Sequence, residues 1–299
     1  MRTHRIAFRA MASNCEVVVA AAAAEQAQAW AQRAIAEVAR IEAKYSRYRS
    51  DSIVSRINTA AGQTAVDCDD ETWSLLVHVD ALYRSSDGLF DITSGVLRRV
   101  WNFKQPQVPA AEDLARVRQA IGWPKVERRD GTVRLPDAGM EIDFGGFGKE
   151  YAADRAGAVL EAAGVRHGYV NLAGDLRVIG PKPDGAPWQI GIRHPRKPGE
   201  LLATIPVERG GLATSGDYER YFELGGKRYC HIIDPRSAMP VTHWQSVSVL
   251  APLAVMAGNC STICMLKQAA GLAFLQAAGV NYLAVDHTGQ VHTKDSLPA

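Results

Sequence analysis

The chain has 299 residues, of which 47% are hydrophobic and 22% charged, and its formal net charge is +2. That length suffices for one large domain or two packed subdomains with a sizeable core. The near-neutral charge excludes the electrostatic footprint of a nucleic-acid binder and a polybasic membrane patch, and no apolar run reaches the roughly 20 residues a membrane helix needs.

The N-terminus, MRTHRIAFRAMASNC, has no apolar h-region before a cleavage site. The chain as given is therefore expected to be cytoplasmic, or periplasmic if a leader has been removed. Five cysteines occur, at Cys15, Cys68, Cys230, Cys260 and Cys264, with no C-x-x-C pair. Neither a disulfide framework nor a zinc knuckle is suggested. Cys260 and Cys264 share a helix face and read as apolar thiols in a buried helix, with a soft-metal pair as the alternative.

In chain order, alternation at Ile6, Phe8, Cys15, Val17 and Val19 predicts a hairpin over residues 5 to 21. Glu25 to Lys44 follows as an amphipathic helix. In YSRYRSDSIVSRIN, Ser52 is an N-cap candidate for the turn Ile53 to Ile57. Tyr48 there offers a ring to stack a heterocycle, or belongs to a plain capped loop. Glu71 to Ser86 is a helix ended by Gly88, and LFDITSG comes next. Asp91 in it sits at a site mouth or caps Val96 to Trp101. A short helix over Leu114 to Ile121 and a hairpin turning at Asp130-Gly131 precede the central stretch.

That stretch is Glu141 to Asp154, EIDFGGFGKEYAAD. Met140, Ile142 and Phe144 alternate as in a strand. Gly145, Gly146 and Gly148 permit a sharp turn and close approach of a ligand, and Lys149 opens a helix. A helix N-terminus beside a lysine is a plausible diphosphate site. The spacing fits neither G-x-x-x-x-G-K-[ST] nor G-x-G-x-x-G. A glycine-rich corner with a solvated lysine is the bland alternative.

The second half reads as antiparallel pairing: Tyr169 to Leu172 with Leu176 to Ile179 across an Ala-Gly-Asp turn, then Trp188 to Ile192 with Leu202 to Val207. Thr214 to Asp217 is expected to be a turn. Tyr218 to Leu224 and Arg228 to Ile233 form a hairpin over Gly225-Gly226, with His231 in the returning strand among Arg220, Asp234 and Arg236. A strand at Val247 to Ala251, helices over Val255 to Lys267 and Leu272 to Ala278, and a last hairpin over Gly289 complete the chain.

YSRYRSDSIVSRIN, DGLFDITSG, IDFGGFGKEYAAD, NLAGDLRVIG, LATSGDYERYF and YCHIIDPRSAMP together resemble the FAD:protein FMN transferase, or ApbE, family, in the family's order and over Met11 to Asp286. The resemblance implies an α+β fold of mixed, largely antiparallel sheets flanked by helices, with 1–299 as one such domain or two packed subdomains. It implies FAD as substrate or bound ligand, magnesium, and a target flavoprotein whose serine or threonine hydroxyl takes up FMN as AMP leaves. Carried over by position, Met11, Tyr48, Leu89, Phe90, Asp91, Asp143 and Lys149 resemble cofactor contacts. Gly146, through its carbonyl, and Thr262 resemble metal ligands, and His231 resembles the histidine at the reacting centre.

Two positions depart from the family. Its helix motif A-D-A-L-S-T-A carries a metal-binding aspartate four residues before the threonine, and here that position is Gly258. Asn259 is next door but about 100° away around the helix. The family's K-G-Y is K-E-Y here, so Glu150 adds a negative charge, turns outward, or supplies a replacement ligand. The departures predict slow AMP release and a gain on Gly258→Asp. They keep open an FAD-binding paralogue without transferase activity, an FAD diphosphatase, and the same fold without flavin.

Overall fold

The computed structural model describes residues 1–294. Its frame is an eight-stranded sheet in which every pairing is antiparallel. Across the sheet the strands follow chain order: Arg2–Ala10, Ser13–Ala21, Gly168–Leu172, Asp175–Gly180, Gly210–Gly216, Trp244–Ala251, Asn281–Asp286 and Val291–Thr293.

Both faces of the sheet are covered, which explains the unbroken apolar run in its second strand. Val17 and Val19 point into the main core beneath the helices, while Val18 points the other way. The helices Ala24–Tyr45, Gly148–Ala162 and Ala254–Lys267 contribute buried faces to that main core. The opposite face is covered by a separate hairpin, Trp188–Arg193 with Leu201–Val207. Its Trp188, Ile192, Ile205 and Val207 pack on Val18, Tyr169 and Val178. A third cluster gathers Leu97, Trp101, Phe222 and Ala238, and the Trp101 indole N–H donates to the Ala238 carbonyl at 2.8 Å.

Asp154 ties two of these helices together. Its carboxylate accepts the Ala254 and Val255 amides, both at 2.9 Å, and so caps the start of the helix Ala254–Lys267 from outside. Ser52 caps the short helix Ile53–Thr59 as the sequence predicts, accepting from the Ser55 amide. All five cysteines are free, and Cys260 and Cys264 are buried.

Three local expectations change. Residues 140–144 are extended but join no sheet. The Asn58 side chain takes the place of a neighbouring strand: its Oδ1 accepts the Ile142 amide at 2.7 Å and its Nδ2 donates to the Ile142 carbonyl at 3.0 Å. Thr214–Gly216 is the end of a central strand, paired with Ser246–Ser248, rather than a turn. The helix Ala254–Lys267 packs on this strand: a Cβ on Gly211, near its start, would stand 2.1 Å from the Ala254 nitrogen, and the Ser215 hydroxyl meets Ser261 and Thr262. Lastly, the strand expected to carry His231 stops at Cys230, so His231 lies just past its end. Among the described residues no helix is long and apolar enough to cross a membrane.

Candidate functional site

The glycine corner opens the helix Gly148–Ala162. Phe144 and Phe147 are buried with ring centroids 4.9 Å apart and anchor the corner from below. Gly145 and Gly146 between them are exposed. Phe147, at the N-cap position, provides no side-chain cap. The helix therefore presents its positive end beside the corner. A Cβ on Gly146 would lie 3.2 Å from the Phe90 ring, so Phe90 supports the corner directly.

Asp143 stands at the entry to the corner. Its Oδ1 accepts the Gly145 amide at 2.9 Å, and its Oδ2 pairs with the Arg47 guanidinium. Gly95 makes room for it, since a Cβ there would approach the Asp143 Cβ to 2.7 Å. Arg47 also lies over the Tyr48 ring, 4.7 Å from its centroid, and donates to the Tyr48 hydroxyl at 2.7 Å. Tyr48 itself is 81% exposed. Tyr48, Arg47, Asp143 and Gly145 thus form one connected set, with a free aromatic face at its outer end.

On the other side of the corner, Lys149 Nζ pairs with Asp175 Oδ2 at 2.9 Å. Burial works against the lysine's charge, but Asp175 and Glu150 outweigh it and raise the Lys149 pKa. Asp175 follows the turn at Ala173 and Gly174, both at positive φ. It faces Leu172, which pairs with Cys15 across the sheet. That register brings the tip of the first hairpin, Met11-Ala12, to the same end of the sheet. Both tip residues adopt positive φ, 50° and 58°, without glycine.

Glu150 is buried, and its Oε2 has no hydrogen-bond partner. Burial, then the neighbouring Asp175, pushes its pKa well above the usual carboxylate range. Across from it lies the helix Ala254–Lys267. Thr262 on that helix shares a hydrogen bond of 3.0 Å with Ser215, which also meets Ser261 at 2.8 Å. Asn259 turns away and bonds the His78 ring at 2.8 Å.

His231 donates its backbone N–H to the Arg220 carbonyl at 3.0 Å, and its Nδ1 is enclosed without a partner. Burial, then the charges of Arg220 and Lys149, lowers its pKa to about 4. The imidazole is therefore neutral at physiological pH, in the field of Lys149.

Two expectations are refined by this geometry. Of the two readings of Asp91, the cap is realised: it opens the 3-10 helix Ile92–Arg99. Its oxygens accept from the Thr93 amide and hydroxyl and the Trp123 amide. The segment meets the corner through Phe90, while Leu89 is half-buried against the main core. The sequence places Arg47 only among arginines near a phosphate and singles out no role for Asp175. A positive charge beside an exposed tyrosine was the available clue for the first. No sequence pattern marks the pairing of Asp175 with Lys149, 26 residues earlier.

Among the described residues, no three His, Cys, Asp or Glu side chains converge as a metal-binding group. The donors at hand are a carbonyl, hydroxyls and very few carboxylates. That inventory suits magnesium, which commonly takes one or two carboxylates and fills its octahedron with phosphate oxygens and water.

A family model described as the ApbE family matches residues 11–284. The chain belongs to the ApbE family. The match spans every residue placed in the site above, from Met11 to Thr262. An FAD:protein FMN transferase of Haemophilus influenzae is 32% identical over 236 residues, 74% of this chain and 68% of that protein. The fold is that of a solved ApbE protein of Thermotoga maritima, with a TM-score of 0.90, 30% identity, and 98% and 97% of the two chains covered. A Pseudomonas stutzeri flavinyl transferase ApbE in its apo form gives a TM-score of 0.85 at 29% identity, covering 98% of this chain and 95% of that one.

Proposed function

We propose that this protein is an FAD:protein FMN transferase. The observation that carries the reading is the corner itself. Lys149, held by Asp175, and an uncapped helix N-terminus flank exposed glycines, and Asp143 links them through Arg47 to the free ring of Tyr48. A dinucleotide offers what these groups recognise, two linked phosphates with an aromatic heterocycle beyond them. Lys149 and the corner take the diphosphate, and Tyr48 stacks a ring. Met11 and the Leu89–Asp91 segment border the ligand, with Asp91 as the cap that opens the helix after Phe90.

In the transfer, the hydroxyl oxygen of a serine or threonine on the acceptor attacks the FMN phosphorus. A new phosphoester bond forms, the bond to the bridging oxygen breaks, and AMP leaves with that oxygen and its electron pair. The hydroxyl proton needs an acceptor, and neutral His231 offers the ring nitrogen other than its enclosed Nδ1 to orient that hydroxyl or take its proton. Such reactions depend on positioning and charge neutralisation more than on covalent chemistry. The Gly146 carbonyl and the Thr262 hydroxyl would hold magnesium, which would supply charge neutralisation at the phosphates.

Gly258 favours a second reading, in which FAD is bound but FMN is not passed on, or is released by water. Incubation with FAD, magnesium and a candidate acceptor, followed by chromatography for AMP and FMN and mass analysis of the acceptor, separates these. Transfer gives AMP and a flavinylated acceptor, hydrolysis gives AMP with free FMN, and binding alone gives neither. A protein that leaves flavin fluorescence unchanged at high micromolar FAD overturns both readings.

A further inference from the structure

Gly258 and Glu150 occupy one place between two helices. An ideal Cβ on Gly258 would stand 2.5 Å from Glu150 Oε1, 2.6 Å from its Cγ and 2.8 Å from its Cδ. The Glu150 side chain thus fills the gap that only a glycine leaves at position 258. It arrives there with one carboxylate oxygen enclosed and unpartnered. A buried acid in that condition is costly unless something compensates it. The nearby lysine does so only in part, because Lys149 Nζ makes its direct contact with Asp175. Two buried acids therefore share one ammonium.

We propose that Glu150, reaching across from its own helix, supplies the anionic ligand of a divalent, hard-cation site, with the Thr262 hydroxyl as its neighbour. Thr262 lies four residues beyond Gly258, one helical turn along the same face. A carboxylate and a hydroxyl are both hard oxygen donors. The inference rests on the transferase reading for the phosphates that complete the coordination. It also changes the meaning of both departures at once. The acid absent from position 258 and the acid gained at position 150 place one carboxylate in one space, carried by a different helix.

A neutral glutamic acid that merely fills the gap is the competing account, and the isosteric variant Glu150→Gln separates the two. Mn2+ is the probe, followed by electron paramagnetic resonance of the free ion and by calorimetry, with and without FAD. FAD titration without metal and far-UV circular dichroism run in parallel. We expect E150Q to bind Mn2+ at least about tenfold more weakly, since even outer-sphere partners of a metal cost that much. We expect E150G/G258D, which returns the acid to the other helix, to recover most of that loss. Equal Mn2+ affinity in E150Q and the unmodified protein overturns the proposal, and so does a folded E150G/G258D that binds no better than E150Q. If the unmodified protein binds FAD but no Mn2+, the cation site is wrong and the flavin reading stands. If it binds Mn2+ but no FAD, the flavin reading fails and the variants still decide the ligand.

Discussion

Gly258→Asp on its own should destabilise this protein, although the family resemblance leads to the expectation that it speeds AMP release. The new Cβ must enter space held by Glu150, at 2.5 to 2.8 Å from three of its side-chain atoms. Overpacking of this kind costs about 1–3 kcal/mol. Replacing a helical glycine returns about 1 kcal/mol, so Gly258→Ala should cost a net of about 0–2 kcal/mol. The aspartate adds a carboxylate beside Glu150. At a relaxed separation of about 4 Å and an effective dielectric near 20, the repulsion is about 4 kcal/mol, part of which proton uptake relieves. A total of about 3–5 kcal/mol follows for G258D. Removing Glu150 at the same time removes both the clash and the repulsion, so E150G/G258D should be about 4–6 kcal/mol more stable than the two single effects predict. Urea unfolding of the unmodified protein, E150G, G258D and E150G/G258D at pH 8 without metal, with m-values compared, measures this directly. If G258D unfolds within about 0.5 kcal/mol of the unmodified protein, or the two changes simply add, the shared-space reasoning is wrong.

Lys149→Met should strand the buried Asp175 carboxylate. The cost is about 1–3 kcal/mol, set below that of a fully buried pair because the lysine side chain is 37% exposed. It should also weaken FAD binding about tenfold or more, read by fluorescence titration; lost stability with unchanged FAD affinity would remove Lys149 from the phosphates. Arg47→Ala should weaken FAD binding about tenfold, or ~1.4 kcal/mol, because it releases both Tyr48 and Asp143, whereas Tyr48→Phe keeps the stacking face and should change little. For His231, the folded pKa of about 4 lies below the unfolded value of roughly 6.5. The unfolded chain therefore binds more protons in that window, and His231 destabilises the fold as pH falls from about 6.5 to 4. His231→Gln should flatten the acid limb of the stability curve there, and an unchanged slope would contradict the burial argument.

Legibility followed the range of the interactions. The hairpin turning at Met11, the helix Ala24–Tyr45, the Ser52 cap and the Asp130-Gly131 turn each depend on near neighbours, so the sequence shows them. Residues 140–144 carry a strand's alternation, and Met140, Ile142 and Phe144 are all buried. Only Asn58, distant in sequence, makes the segment a side-chain clamp rather than a strand. Thr214 to Gly216 has turn-like residues, yet they pair in a central strand and Ser215 bonds Ser261 and Thr262 of a helix that nothing local reveals. At the site, Lys149 and the glycines were readable as a phosphate corner. Asp175, Arg47 and the exchange between Glu150 and Gly258 depend on contacts between distant segments, and a single sequence shows those only as residues out of pattern.

The charges at the corner explain how flavin and cation should depend on each other. Arg47 is engaged by Asp143, and Lys149 by Asp175, which leaves Glu150 as the acid with no ammonium or guanidinium of its own. An incoming diphosphate therefore meets cations that are already paired and, to the extent that Glu150 is ionised, one carboxylate that repels it. A divalent ion held by Glu150 would turn that repulsion into attraction. Binding of the two should be mutually favourable by the same factor, because linkage is reciprocal. A coupling of 1–3 kcal/mol, roughly 5- to 150-fold, is the usual scale. Glu150→Gln should then move two affinities in opposite directions: Mn2+ binds more weakly, while metal-free FAD binds as well as before or better. A loss that does not read charge, such as a collapsed helix N-terminus, would weaken both together. Titrating FAD with and without Mn2+ in the unmodified protein and in E150Q completes the cycle, and a coupling that survives in E150Q would place the cation elsewhere.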